Sequence, residues 1–593
     1  MRHGSESILA TFPTMVADAR YKPHEKSEFL IMLLEGLWFC PRIAGRESPS
    51  CAPTSKKPEM LPPPTEVGQT THTQTTSEKT MNTRTHSLIF SITILSLATA
   101  MTLSIPLSVY TRPVDPLADI GRASGFAAPI HTLTVSTNYI WHTFYGSSNW
   151  DTGYSIAVDA SNNIYMTGYS EATWGNPLHP HSGGYDIVVV KLNSAGVYQW
   201  HTFYGSSGVS GWDEGYSIAV DTQSNVYITG YSTATWQGDG NTPPLHAHSG
   251  GSDIVVLKLN SAGAYQWHTF YGSSFASDTG YGIAVDTGNN VYITGNSRDT
   301  WQGDSNTSPR NAYSGRNDIV VLKLTGAGAY QWHTFYGSPY DDDGSSIAVD
   351  AGGNVYIVGD GADTWGSPLR AHSGGYDIVV LTLNSAGAYQ WHTFYGSSSS
   401  DVGYGIAVDT NSNIYITGHS GATWQGVGNT NPLHAYSGDA DIVVIKLNSA
   451  GGYQWHTFYG SIGVDRGYGI AVDTSGNVYT TGFSAGAWQG DGNTNPLHTH
   501  SRSGDDIAMV KLNSAGAYQW HTFYGAALAQ AGRSVAVDTS SNVYITGNSA
   551  ATWQGDGDTN PLHPFSGGTN PDIVALKLKS VPNTYVYLPM ILR

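Results

Sequence analysis

Cysteine and glutamate are both scarce in this sequence, and each deficit excludes a class of chemistry. Only Cys40 and Cys51 occur in 593 residues, both within the first 80. The rest of the chain therefore has no disulfide, no thiolate metal site and no cysteine nucleophile, so a large core must stabilise it. After Met81 the only glutamates are Glu171 and Glu214. A carboxylate pair for glycoside hydrolysis would need aspartate partners, and the sequence alone does not place two at the required separation.

Charged residues are few, and those present are mostly acidic. Asp, Glu, Lys and Arg make up 12% of the chain, with a formal net charge of −18. Residues 1–80 contain nine basic and nine acidic residues, so the remainder holds 27 − 9 = 18 basic and 45 − 9 = 36 acidic ones. An acidic body repels phosphate backbones, which argues against nucleic acid as a partner. The 70 glycines, 37 tyrosines and 17 tryptophans suit short strands joined by tight turns.

The N-terminal part has the pattern of a secretory signal. Residues 81–100 combine Arg84, an apolar run from Leu88 and a small-x-small site at its end, which predicts a cleaved signal peptide. The alternative is a membrane anchor over 88–109, because the apolar character continues that far. Residues 1–80 are expected to be a disordered extension, with Met81 as the hypothetical true initiator, and 101–137 a linker.

Three short motifs recur seven times and divide the chain into equivalent units. WHTFYG begins at Trp141, Trp200, Trp267, Trp332, Trp391, Trp455 and Trp520. IAVD or VAVD ends at Asp159, Asp221, Asp286, Asp350, Asp409, Asp473 and Asp538, and DIVV or a close variant begins at Asp186, Asp253, Asp318, Asp377, Asp441, Asp506 and Asp572. One unit reads as four strands: Gly215–Asp221, Val226–Ser232, Asp253–Leu259 and Ala264–Tyr271.

Seven such units predict an all-β fold, a single seven-bladed β-propeller of four-stranded antiparallel blades over residues 138–580. The last unit stops after Asp572–Leu578 and lacks its fourth strand, whereas Tyr139–Gly146 precedes the first unit. We therefore expect this N-terminal strand to complete the last blade and close the ring. The alternative architecture is a linear solenoid. Residues 581–593 are expected to form a C-terminal tail, with a sorting role or a strand on the outside of the propeller as its alternatives.

The units resemble the bacterial SBBP family of β-propeller repeats. D-x-G-Y-x-IAVD, N-x-Y-x-TG and DIVV-x-KL-N-x-x-G carry the resemblance, which covers Tyr139 to about Leu578. The pattern is also similar to NHL repeats. SBBP-type proteins are typically exported or displayed on the cell surface, so the resemblance implies fold and location more than activity.

The long loop between the second and third strands is the candidate binding region. It emerges on the face opposite the tight turns, and it repeats a W-Q-G-D-G-N-T-N-P-L-H pattern. A ring of these tryptophans and histidines on one face could stack on and hydrogen-bond a sugar or peptide; the alternative is that each tryptophan anchors its own loop. The candidate ligand-binding residues are Trp236, Trp301, Trp424, Trp488, Trp553, His246, His434, His498 and His563.

Two of the loops also match the first half of a calcium-binding loop. The candidate ligands are Asp491, Asn493 and Asn495 in one and Asp556, Asp558 and Asn560 in the other, at the alternate positions that converge on a hard cation. The match ends there, because the twelfth positions are Arg502 and Gly567 rather than glutamate. The alternative is a plain Asx turn. No other cofactor is expected.

These features favour a secreted or cell-surface module that binds, adheres or acts as a scaffold through its long-loop face, and not an enzyme. The expected partner is an extracellular glycan or protein, with membrane contact only through an uncleaved N-terminal segment. A polysaccharide-active hydrolase or lyase is the first alternative, and a structural surface-layer component is the second. An enzyme would need blade-specific polar clusters, and the candidates in the sequence are scattered.

Overall fold

The computed structural model describes residues 133–208 and 211–587. The predicted extension, the signal peptide or anchor, and most of the predicted linker lie outside these residues. The described residues form 28 β-strands in seven sheets of four antiparallel strands, with only single-turn 3-10 segments in the long loops. Within the described ranges, no helix is both long and apolar enough to span a bilayer.

Six blades are built from consecutive strands. Blades 1 to 3 comprise β2 (Asp151–Val158), β3 (Ile164–Ser170), β4 (Asp186–Leu192), β5 (Tyr198–Tyr204), β6 (Asp213–Val220), β7 (Val226–Ser232), β8 (Asp253–Leu259), β9 (Tyr265–Tyr271), β10 (Asp278–Val285), β11 (Val291–Ser297), β12 (Asp318–Leu324) and β13 (Tyr330–Tyr336). Blades 4 to 6 comprise β14 (Asp342–Val349), β15 (Val355–Gly361), β16 (Asp377–Leu383), β17 (Tyr389–Tyr395), β18 (Asp401–Val408), β19 (Ile414–Ser420), β20 (Asp441–Leu447), β21 (Tyr453–Tyr459), β22 (Asp465–Val472), β23 (Val478–Ser484), β24 (Asp506–Leu512) and β25 (Tyr518–Tyr524).

Blade 7 closes the ring with strands from both parts of the repeat region. It comprises β26 (Gln530–Val537), β27 (Asn542–Ser549), β28 (Asp572–Tyr587) and β1 (Leu133–Tyr145), in the order β1-β28-β27-β26. Tyr145 pairs with Ile573 and Tyr139 with Leu578, as expected from the sequence. The pairing continues to Leu133 opposite Tyr587, so both strands extend past the predicted bounds of 138 and 580.

The first strand of each blade lies next to the first strands of both neighbouring blades, so these seven strands surround the central channel. Each carries a β-bulge at its fourth residue, as at Tyr154 between Gly153 and Ser155 in β2. The paired second strand supplies a glycine because a Cβ at Gly168 would lie 1.7 Å from the Thr152 carbonyl oxygen. Bulges redirect a side chain, and here the redirected side chains belong to the channel wall.

Apolar side chains of adjacent blades form the core. One cluster joins Ile187 and Val189 of blade 1 to Ile218, Val226 and Val255 of blade 2, and all five are buried. β-Branched residues fill these interfaces since they pack well on pleated surfaces. Each blade therefore buries its faces only against its neighbours, which is why the ring has to close.

The IAVD aspartates stabilise the first turn of each blade. The Asp159 carboxylate accepts hydrogen bonds from the backbone N–H groups of Ser161 and Asn163, each at 2.9 Å, and from the Tyr165 hydroxyl at 3.1 Å. This arrangement fixes the tight turn between the first and second strands.

Candidate binding site at the mouth of the central channel

The long loops do not stand free on one face; each runs down the outer edge of its own blade. In blade 1 the Leu178 N–H donates to the His201 carbonyl at 2.9 Å, and the Phe203 N–H donates to the His179 carbonyl at 3.2 Å. The Pro-Leu-His segment thus adds a short extra strand to the outermost strand. It covers the edge that would otherwise be free to pair with another chain.

The candidate tryptophans are buried by this arrangement. The Trp236 indole stacks on the His268 imidazole of its own blade, with 3.8 Å between ring centroids and 8° between planes. The His268 Nε2–H donates to the Trp236 carbonyl at 3.2 Å, and Nδ1 accepts from the Tyr265 hydroxyl at 2.8 Å. Burial lowers the pKa of His268 to about 4, which keeps the ring neutral. All five candidates, Trp236, Trp301, Trp424, Trp488 and Trp553, are only 5–8% exposed.

The candidate histidines bind backbone carbonyls of the outermost strand. His246 Nδ1–H donates to the Phe270 carbonyl at 2.8 Å, and its ring stacks on Tyr271. His434, His498 and His563 make the same hydrogen bond to Phe458, Phe523 and Phe144. Together with the tryptophan packing, these contacts agree with the alternative in which the recurring loop anchors itself to its blade.

The candidate calcium ligands lie where one blade meets the next. Asp491 accepts a hydrogen bond from the Tyr459 hydroxyl at 3.3 Å and lies 3.9 Å from His434 Nε2, both of the preceding blade. Asn495 accepts from the Gln489 side chain at 3.0 Å. Asp556 and Asn560 repeat these contacts with Tyr524 and Gln554, while Asn493 and Asp558 adopt positive φ. Residues 133–208 and 211–587 contain no cluster of three or more His, Cys, Asp or Glu side chains with metal-binding geometry. Calcium binding stays a prediction.

A belt of tyrosines occupies the bulge positions around the channel. The rings of Tyr154 and Tyr216 have centroids 4.9 Å apart, those of Tyr216 and Tyr281 5.2 Å, and those of Tyr404 and Tyr468 5.1 Å. Tyr216 lies beside a buried carboxylate. Burial, followed by the charge of Glu214, raises the pKa of Tyr216 well above its usual range, so the phenol stays neutral.

Two bulge positions depart from tyrosine. Blade 4 has Ser345, which leaves a gap in the belt, and blade 7 has Arg533. The Arg533 guanidinium lies 4.6 Å from the Tyr468 ring centroid, and its Nε–H donates to the Asn548 side chain at 3.3 Å. No carboxylate of the described residues lies within ion-pair distance of Arg533. Among the described residues, Arg533 is thus a cation beside the channel that no acidic side chain neutralises.

Acidic groups lie on one side of the channel mouth. They belong to a pair of positions in each blade, the second residue of the first strand and the sixth residue of the second strand, which are cross-strand partners. Glu214 accepts a hydrogen bond from the Tyr231 hydroxyl at 3.0 Å. Asp343 pairs across the strands with Asp360 and accepts a hydrogen bond from Asn296 Nδ2 at 2.7 Å. The acidic side thus spans blades 2 to 4.

The opposite side of the mouth is basic and aromatic. Arg466 pairs across the strands with Phe483, and His419 of the neighbouring blade stacks on Tyr404 with 5.6 Å between centroids. Burial, and then the charge of Arg466, lowers the pKa of His419 to about 3. Arg466 and Arg533, with the neutral ring of His419 between aromatic neighbours, thus form a cationic and aromatic arc over blades 5 to 7.

The loops between blades add exposed apolar side chains around the mouth. Trp212 is 51% exposed and belongs to a stack with Tyr185 and Tyr169. The other exposed apolar side chains of the loops between blades are Phe275, Tyr340, Ile462 and Leu528. Contiguous apolar and charged surface around a channel is typical of a binding site.

Sequence reasoning missed the channel mouth because it followed the residues that recur. The relevant residues are those that break the repeat, and the signal was present in the D-x-G-Y-x-IAVD motif. Ser345 and Arg533 stand where the other five units have tyrosine. Two charged residues of this region, Asp343 and Arg298, come close to each other, since each forms a hydrogen bond with Asn317.

The fold defines a seven-bladed β-propeller built of four-stranded repeats. Five segments match the β-propeller repeat of the SBBP family, at residues 199–235, 266–299, 390–423, 454–486 and 519–552. The chain therefore contains SBBP-type β-propeller repeats, as the resemblance implied.

Two curated proteins are similar in sequence. The uncharacterized WD repeat-containing protein L264 of Acanthamoeba polyphaga mimivirus is 24% identical over 430 residues, covering 58% of this chain and 30% of its own length. The regulatory protein FlaEY of Caulobacter vibrioides is 23% identical over 363 residues, covering 58% of this chain and 36% of its own. The chain thus spans about a third of the length of these relatives.

Solved structures are similar at low identity. The β-propeller domain of the trilobed protease from Pyrococcus furiosus gives a TM-score of 0.35 at 6% identity, covering 75% of this chain and 99% of that one. The polysaccharide lyase PL25 ulvan lyase gives 0.34 at 12% identity, covering 76% and 95%.

Proposed function

We propose that this propeller is a binding module whose ligand enters the mouth of the central channel on the face where the long loops begin. The observation that carries the proposal is the loss of repeat uniformity at the channel mouth. Seven nearly identical blades supply different side chains where their first strands surround the channel, as at Ser345 and Arg533. A scaffold ring needs no such variation, whereas a singular ligand does.

The chemistry of the mouth favours an anionic glycan. Tyrosine rings such as Tyr404 and Tyr468 offer flat faces for pyranose rings, and the Arg533 guanidinium can bind a carboxylate or sulfate through two parallel hydrogen bonds. The carboxylates Glu214, Asp343 and Asp360 can accept hydrogen bonds from sugar hydroxyl groups. Burial in the channel strengthens these contacts because the local dielectric is low.

Export or surface display is part of the same proposal. Its support is the signal-like pattern of residues 81–100 and the resemblance to exported SBBP proteins. Fractionation of the natural host, with N-terminal sequencing of the product, tests it. A cytoplasmic product that keeps residues 81–100 would contradict export, and peptides from residues 1–80 would refute initiation at Met81.

A glycan array probed with the full chain tests the binding site. We expect binding to uronic-acid or sulfated glycans, reduced at least tenfold in Arg533→Ala because the unpaired cation is removed. Arg502→Ala is the matched control, since Arg502 is an exposed arginine of a long loop and takes no part in the ring of first strands. Equal affinity of Arg533→Ala and wild type, with both folded, would refute the assignment. Release of shortened saccharides would instead support the polysaccharide-active alternative.

A further inference from the structure

A lysine on the third strand connects neighbouring blades at six of the seven junctions. In blade 1 the Lys191 ammonium lies 4.9 Å from the Tyr165 ring centroid and donates to the Ser261 carbonyl of blade 2 at 2.7 Å. The other five are Lys258, Lys323, Lys446, Lys511 and Lys577, with ring distances of 4.7–5.4 Å and hydrogen bonds of 2.7–3.1 Å. Each ammonium thus has an aromatic face and a carbonyl oxygen as partners.

Blade 4 has Thr382 at this position, and the site of the missing ammonium is a cavity. The cavity has a volume of about 400 Å³, and its lining includes Asp350, Tyr356, Thr382, Ser412 and Ser449. Tyr356 is the equivalent of Tyr165, and Ser449 holds the turn position whose carbonyl accepts from the lysine in other blades. The groups that bind an ammonium elsewhere are therefore all retained here without one.

Two further observations indicate that this cavity is prepared for a polar ligand. The Thr382 hydroxyl is buried, only 3% of the residue is exposed, and it has no hydrogen-bond partner. The Asp350 carboxylate accepts hydrogen bonds from Ser412 and Tyr356, at 2.8 and 3.0 Å, and no cation of the described residues lies within ion-pair distance of it. Burying the Thr382 hydroxyl unpaired is unfavourable, and an incoming cation would pair with it and add a charged partner to the Asp350 carboxylate, whose hydrogen bonds all come from neutral groups.

We propose that the cavity between blades 4 and 5, on the tight-turn face, binds a primary alkylammonium group. The ammonium takes the place of the missing lysine Nζ, over the Tyr356 ring and against the Ser449 carbonyl, with the Asp350 carboxylate nearby. Its alkyl chain lies along Trp391, which is more exposed than the corresponding tryptophans. The rim residues Gln390, Asn411 and Ala450 are exposed, so the cavity opens to solvent.

Isothermal titration calorimetry of the full chain with n-butylammonium chloride, at constant ionic strength, tests this site. We expect one saturable equivalent with a millimolar dissociation constant, in keeping with so small a ligand. Thr382→Lys should abolish binding and raise the thermal unfolding midpoint, because the lysine fills its own site. Lys446→Thr is the matched control: it should create a second equivalent at the junction of blades 5 and 6.

Several outcomes would overturn the proposal. They are no binding by wild type, unchanged binding by Thr382→Lys that is folded by circular dichroism, or equal binding of neutral butan-1-ol. Binding of Nα-acetyl-lysine methylamide as well as butylammonium would indicate a lysine side chain of another protein as the natural source. Binding of butylammonium alone would indicate a free amine. Because the site lies on the face opposite the channel mouth, failure here leaves the proposed function untouched.

Discussion

The indole of Trp553 lies flat against the imidazole of His142, with 3.8 Å between ring centroids and 9° between planes. The two residues are 411 positions apart in the chain. In blade 3 the same stack joins Trp301 to His333, which are only 32 positions apart. One contact thus serves as a local loop anchor in one blade and as the closure of the ring in another.

This pair predicts different effects of two equivalent substitutions. Trp553→Ala and Trp301→Ala should each lower the free energy of unfolding by about 3–5 kcal/mol, the usual cost of truncating a buried tryptophan. In Trp553→Ala the strand β1 should also exchange its amide hydrogens faster, because β28 and the long loop of blade 7 are what hold it in the sheet. Hydrogen exchange of residues 139–145, compared with 330–336 in Trp301→Ala, measures this difference. Equal protection of the two segments would contradict it.

The buried aspartates at the blade junctions predict a pH-dependent stability. Burial is the main cause that raises the pKa of Asp342 to about 7. The folded protein therefore favours the neutral Asp342 carboxyl group. The resulting contribution to the free energy of unfolding is fully present below about pH 4 and is lost as the pH rises through 7. Asp342→Asn cannot ionise, so its unfolding midpoint should rise relative to wild type between pH 4 and pH 8. The difference should amount to at most about 4 kcal/mol.

Blade 7 offers the matched control for this pH effect, because Gln530 occupies the equivalent position beside Asp506. Gln530→Asp should lose more stability at pH 8 than at pH 5. The seven stacked histidines act in the opposite direction, since burial lowers their pKa to about 4 and they destabilise the fold as the pH falls from 6.5 to 4. Wild type and variants share these histidines, so the difference between their pH profiles does not contain the histidine contribution. Parallel curves for all three proteins would refute the junction argument.

Two glycines with different surroundings predict unequal costs of an added methyl group. Gly168→Ala should prevent folding, because its Cβ would lie 1.7 Å from the Thr152 carbonyl oxygen. Gly557 has a φ of +68°, but an added Cβ would have no other atom within 4 Å. Gly557→Ala should therefore lower the free energy of unfolding by only about 1–2 kcal/mol. Soluble yield and the thermal midpoint distinguish the two. A stable Gly168→Ala would mean that the bulge can move.

The sequence predicted the architecture because each motif of the blade recurs seven times. A single segment such as Asp572–Leu578 could be a strand or part of another element. It is assigned as a strand because six equivalent segments share its pattern. The missing fourth strand of the last unit then leaves only Tyr139–Gly146 to complete it. Repetition does not reveal where a side chain points, however. Trp236 and His246 recur as regularly as the core, yet only the path of the loop along the outer edge determines that their rings are buried against it.

Singular residues were the harder part to predict. Arg533, Ser345 and Thr382 are each one substitution in an otherwise uniform motif, and exposed variation is the ordinary explanation for such a change. Their meaning depends on position: two lie at bulges beside the channel, and the third lies where six lysines bind the next blade. Comparing the seven units position by position would have found all three without coordinates.

The pairing of β1 with β28 has a consequence for synthesis. At about 5–20 residues per second, a ribosome needs tens of seconds to translate the roughly 430 residues between the two strands. Throughout that interval Phe144 lacks its eventual neighbours in blades 6 and 7, and β1 is free to pair with any other β-strand it meets. Pairing of β1 with a wrong strand before β28 has been synthesised is therefore a risk for folding, and a chaperone that holds the early strand would reduce it.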